Sequence, residues 1–221
     1  MPTAQVADDS TRTPDRVAAG LAIGFVVLLV ASELVLSLPD VTASAADVAG
    51  FYAAHRSFII VLQVLGFGAA ALLAGYAWRL RRVDRVVSAA GLVMAGCSLV
   101  SGIITLVIAV VADPASPASA GWWNLLEPRG DHILFVGILL FAVVITLRLG
   151  RRLPALGVLA LLVGIGCLIR LVLEMAGASG GLLDAVVPLS FLILIAVMAA
   201  LSFLGVLRHP RPSPSVRSRE T

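Results

Sequence analysis

Apolar residues along this chain fall into six blocks, each bounded by polar or charged positions. The blocks occupy residues 17–38, 57–78, 86–112, 132–147, 154–176 and 185–207. A helix rises about 1.5 Å per residue, so about 20 apolar residues cross a hydrocarbon core about 30 Å thick. Strands of a membrane barrel are about ten residues long and alternate in polarity, which these blocks do not. The pattern therefore predicts an all-α, polytopic transmembrane helical bundle of six spans over residues 16–207. The third block is long enough to tilt. Residues 1–15 are polar and without apolar periodicity, and predict a disordered cytoplasmic tail. Residues 208–221 are basic and rich in Pro and Ser, and predict a second disordered tail on the same side, near anionic headgroups. The sequence Ala43-Ser44-Ala45 resembles a leader-cleavage site, but the first apolar block is about twice the usual length of a leader's apolar region.

Composition strengthens the membrane assignment. The chain of 221 residues is 60% hydrophobic, with a mean hydropathy of +1.04. Soluble domains are about 45–50% apolar. All 16 basic residues are arginines, a bias of GC-rich coding that points to a bacterial, actinobacterial source. Their placement sets the expected orientation. Arg12 and Arg16 precede span 1, and Arg79, Arg81, Arg82 and Arg85 lie between spans 2 and 3. Arg148, Arg151 and Arg152 lie between spans 4 and 5, and Arg208, Arg211, Arg217 and Arg219 come after span 6. The alternate loops hold Arg56 and Arg129 alone. Positive loops stay in the cytoplasm, so both termini are expected inside a bacterial cytoplasmic membrane. Arginines spread over loops in this way do not form a nucleic-acid surface, so membrane lipid is the expected partner.

The outer loops carry their own signals. Ser44-Ala-Ala-Asp47 fits a capping box and predicts a short interfacial helix with Phe51 and Tyr52 toward lipid. Trp122 and Trp123 in the second outer loop suit the headgroup region, as an anchor or as a lid over a site. Small residues recur within the spans, from the Gly20/Gly24 pair to Gly164 and Gly166, and allow the close contact by which helices associate in lipid. Cys97 and Cys167 lie mid-span and read as small packing side chains.

Charges inside the apolar blocks are the candidate chemistry. Span 5 contains CLIRLVLEM, with Arg170 about 8 Å and Glu174 about 14 Å outward of its centre at helical rise. Glu33 in span 1 lies at about the depth of Arg170. An unpaired charge at a helix centre costs about 2.5–3.5 kcal/mol, so an interhelical Glu33–Arg170 ion pair is expected. Other polar groups gather toward the same side: His55, Arg56 and Gln63 in span 2, Glu127, Arg129, Asp131 and His132 leading into span 4 with Trp123 before them, and Asp184 before span 6. Together they predict a polar pocket open to the outer face and lined by spans 1, 2, 4 and 5. A small amphipathic molecule or a lipid is its expected ligand.

Two other classes stay open. A small-molecule transporter calls for helices broken near the midplane, and Pro188 in span 6 is the one hint of a break. A membrane enzyme acting on an isoprenoid-like substrate calls for an acid in an apolar pocket, and Glu33 is the candidate. His55 and His132 stand at helix starts rather than deep in facing helices, where haem ligands sit, and HExxH is missing. The sequence therefore calls for no metal and no cofactor.

The segment GDHILFVGILLFAVVITLRLGRRLPALGVLALLVGIGCLIR resembles the bacterial DUF4386 family. Members share the aspartate-led span, the short basic loop with Leu-Pro and the Gly-rich helix after it. SAADVAGFYAAHRSFIIVLQVL, with Arg56 near its helix start, is similar to the family's approach to span 2. The chain reads EPRGDH where the family carries a His-Gly-Tyr cluster. The resemblance implies six spans and assigns no activity, because the family is itself uncharacterised. Orientation is directly testable. A fluorescent reporter fused after Thr221 should fold in the cytoplasm, and a periplasm-dependent phosphatase inserted after Pro114 should be active; the reverse pattern would invert the topology.

Overall fold

The computed structural model describes residues 14–33, 39, 43–176 and 182–207, with Glu33 and Asp184 described in backbone only. Seven helices succeed one another along the chain: α1 (Arg16–Glu33), α2 (Ala45–Leu80), α3 (Arg85–Val111), α4 (Ala118–Asn124), α5 (Glu127–Leu149), α6 (Pro154–Met175) and α7 (Leu183–Phe203). There is no strand among the described residues. Five helices are long and apolar enough to cross a membrane, namely α2, α3, α5, α6 and α7, with α4 continuing the apolar stretch of α5. The sixth long element, α1, is apolar but shorter. The remainder of the predicted first span and most of both predicted tails lie outside the described residues.

The six long helices close a ring. Each packs on its neighbour in the chain, and α7 returns onto α1, where Phe25 and Phe191 meet edge to face at 6.2 Å. The short α4 lies across α2, α3 and α5 at one end. Arg79, Arg81, Arg82, Arg148, Arg151 and Arg152 gather in the turns at the other, here called the basic end.

Three features differ from the sequence expectation. The helix predicted for the first outer loop exists, and Ser44 caps it through the Asp47 amide at 3.2 Å, but it runs on without a break into span 2. Tyr52, expected toward lipid, is fully buried. Once α2 continues and α4 folds over it, that face is enclosed in a small core with Val48, Ile59, Ile108 and Ala120. Span 4 begins five residues earlier than its apolar block, at Glu127, because Pro128 suits the first helical turn, where its missing N–H is not needed. Asp15, at the end of the predicted N-terminal tail, is buried and caps α1, accepting from the Ala18 amide at 3.1 Å.

Charges at the basic end fasten helices to one another. Asp15 accepts from Arg79 of α2 at 2.8 and 3.0 Å, while its own amide donates to the Ser202 carbonyl of α7 at 2.9 Å. Asp84 caps α3 through the Val86 and Val87 amides and pairs with Arg148 of α5 at 2.9 Å. Burial alone would raise its carboxyl, but the Arg148 guanidinium and the two amides outweigh that and hold it below its ordinary value.

Between these fastenings the helices meet at glycine. A Cβ built on Gly157 would stand 2.6 Å from the Cα of Gly150, and one on Gly91 would stand 2.8 Å from the Ala77 Cβ. Gly96 has nothing within 4 Å. Gly157→Ala should therefore destabilise the bundle by about 1–3 kcal/mol through overpacking. Gly96→Ala should be neutral or stabilising by up to about 1 kcal/mol through helix propensity. Unfolding in one detergent compares the two, and equal effects would refute close packing at Gly157.

Candidate functional site

A cavity of about 180 Å³ lies between α1, α2, α3 and α5, toward the end that carries α4. Its apolar lining is Leu29, Ile59, Leu62, Phe67 and Leu134, and its polar lining is Ser32, Gln63, Ser98, Ser101, Thr105, Glu127 and Asp131. Helical periodicity accounts for much of the polar lining. Ser98, Ser101 and Thr105 take the i, i+3, i+7 spacing of one face of α3, and Glu127 and Asp131 are i, i+4 on α5. Gly102 provides the room: a Cβ there would stand 2.9 Å from the Phe67 ring and 3.1 Å from the Gln63 amide oxygen.

The carboxylates are unequally matched. Asp131 accepts from the Ser101 hydroxyl at 3.2 Å. Glu127 makes no hydrogen bond and no ion pair among the described residues. Two carboxylates at i, i+4 repel when both are ionised, so the pair favours a proton, a donor or a cation between them.

A second cluster lies beside the cavity, between α5 and α6. Glu174 is within 2.8 Å of Arg170 and 3.0 Å of His132 Nε2, so one carboxylate joins both helices. The Arg170 guanidinium also stacks over the Phe135 ring at 3.9 Å to its centre, and Arg170 as a residue is buried. Arg170 and Glu174 are near enough to Asp131 to act on its charge, which couples this cluster to the cavity wall.

The predicted site residues thus separate into groups. Gln63 and Asp131 line the cavity, and His132, Arg170 and Glu174 form the adjoining cluster. Three of the other four lie elsewhere. Arg56 donates to the Ala109 carbonyl at 3.0 Å and to that of Ala112, closing the end of α3. His55 is exposed and bonds the Phe51 carbonyl of its own helix at 2.9 Å. Trp123 packs on the small core around Tyr52 and meets Trp122 at 5.1 Å. The Glu33 side chain, and with it the expected Glu33–Arg170 pair, lies outside the described residues. Among the cavity walls, α3 escapes the sequence reading, because a hydroxyl stripe carries no charge; its 3-and-4 spacing is the available signal.

No family model, curated protein or solved structure matches this chain.

Glu174 holds two partners, so its charge should matter more than that of an exposed pair. Glu174→Gln should lower stability by about 1–3 kcal/mol, because it takes the facing carboxylate charge from the buried Arg170 guanidinium. Thermal and denaturant unfolding would measure it, and an unchanged melt would show that Glu174 does not hold α5 to α6.

Proposed function

We propose that this chain is an integral membrane protein that binds a small amphipathic cation in the cavity between α1, α2, α3 and α5. The observation that carries the reading is the Glu127 and Asp131 pair, two carboxylates that line one cavity together with aliphatic and aromatic side chains. An ammonium or amidinium head would relieve their repulsion and donate to Gln63 and the α3 hydroxyls, while a short apolar body would lie against Leu62, Phe67 and Leu134. The volume of about 180 Å³ favours a small molecule over a whole lipid, since pockets for drug-sized ligands run about 300–1,000 Å³.

Charge sets the rest of the picture. In this reading the protein sits in a bacterial cytoplasmic membrane, its basic end faces the cytoplasm with both termini, and the cavity belongs to the outer half. In this reading α1 completes a set of six crossings, the number that the resemblance to the DUF4386 family implies. A binding role is favoured over transport, because Pro188 lies inside a continuous α7 rather than at a break.

The test begins with small molecules that co-purify with the wild type, identified by mass spectrometry, and continues with thermal-shift titration by short alkylamines. Wild type should carry or be stabilised by a cationic molecule. Asp131→Asn and Gln63→Leu should each weaken it about tenfold or more, as expected when a bound charge or a polar contact loses its partner. Stabilisation by carboxylates instead of amines, or equal binding to the variants, would reject the reading.

A further inference from the structure

A second concavity faces outward, between α5 and α6. We propose that it holds one acyl chain of an anionic phospholipid whose phosphate rests on arginines of the turn joining the two helices. The groove has a volume of about 270 Å³. Ala160 and Gly164, one turn apart on α6, leave its floor low, and Val143, Leu147, Ile165 and Leu168 stand as its rims. On α5 it runs from Leu139 to Leu147, about 12 Å at helical rise. Thr146 adds no unmet polarity, because its hydroxyl donates to the Ala142 carbonyl at 2.9 Å and approaches that of Gly157 at 3.4 Å. The furrow is therefore apolar throughout and aligned with the helices, as a lipid tail would be.

Charge at one end selects the lipid. The groove stops at Leu147, and the chain continues through Arg148, Arg151 and Arg152. Arg148 pairs with Asp84, and Arg151 and Arg152 are both on the surface of the same turn. Guanidinium groups take phosphate oxygens in pairs and remain charged at any physiological pH. A second copy of the chain suits the groove less well. Two copies packed about an axis along the membrane normal would bring the same three arginines face to face, with like charges opposed.

Native mass spectrometry of the full-length protein, released from nanodiscs with equal phosphatidylglycerol and phosphatidylcholine of matched chains, tests this. The wild type should retain one phosphatidylglycerol in preference to phosphatidylcholine. Arg151→Gln and Arg152→Gln should each reduce that preference about fivefold. Val143→Trp and Ile165→Trp, each on an exposed rim and so without cost to the core, should expel the lipid while the melting temperature stays unchanged. Equal retention of the two lipids by the wild type would overturn the proposal. So would retention unaltered by both tryptophans, which would leave a headgroup contact with no groove. A dimer in the wild type that the tryptophans split would assign the groove to a second copy and overturn it too.

Discussion

The bundle depends on backbone-to-backbone approach. In lipid, apolar side chains gain little by leaving one hydrocarbon surface for another, so helices must be held by dispersion contact, hydrogen bonds and charge. Gly150 against Gly157 and Gly91 against Ala77 bring neighbouring backbones within reach of one another. That proximity positions everything else. α5 lies close enough to α6 for Glu174 to reach His132, and close enough to α3 for Ser101 to reach Asp131. The cavity is the complement of these contacts, a place where Gly102 leaves room and polar side chains rather than methyl groups face it.

Charge is arranged by depth as well as by sign. At the basic end each fastening joins a helix terminus to a neighbour: Asp15 with Arg79, and Asp84 with Arg148. Arg56 does the corresponding work at the other end by taking the last carbonyls of α3, which a helix terminus leaves unpaired. Buried charge occurs in the Arg170 cluster, where a carboxylate and an aromatic face share the guanidinium. A buried charge with several partners costs less than one with a single partner, and here Glu174 and the Phe135 ring share the guanidinium.

Much of the fold is readable from the chain because lipid imposes one rule on long segments: every backbone group bonds within the helix. The cores of α3, α6 and α7 fall where the apolar blocks predict them. The errors occur at ends, where hydropathy and helicity part. α2 and α5 extend into polar sequence because Ser44 and Pro128 start helices whatever the polarity of the residues after them. Tyr52 reads as lipid-facing because a short interfacial helix has an outer face; a continuous one under α4 does not. The site is partly readable for a similar reason. Asp131, Arg170 and Glu174 stand out by charge against apolar surroundings, but Ser98, Ser101 and Thr105 are legible only through spacing. Arg56 and His55, equally prominent in the sequence, point to α3's end and to their own helix, a direction that rotation about the helix axis decides.

The length of α2 has a mechanical consequence. Its 36 residues make a rod about 54 Å long, against a hydrocarbon core of about 30 Å. The same unbroken rod supplies Tyr52 to the small core under α4 and Ile59, Gln63 and Phe67 to the cavity. With no break between the two, one helix fixed at the basic end by Arg79 carries both the small core and a wall of the cavity, so the tilt that seats one also places the other.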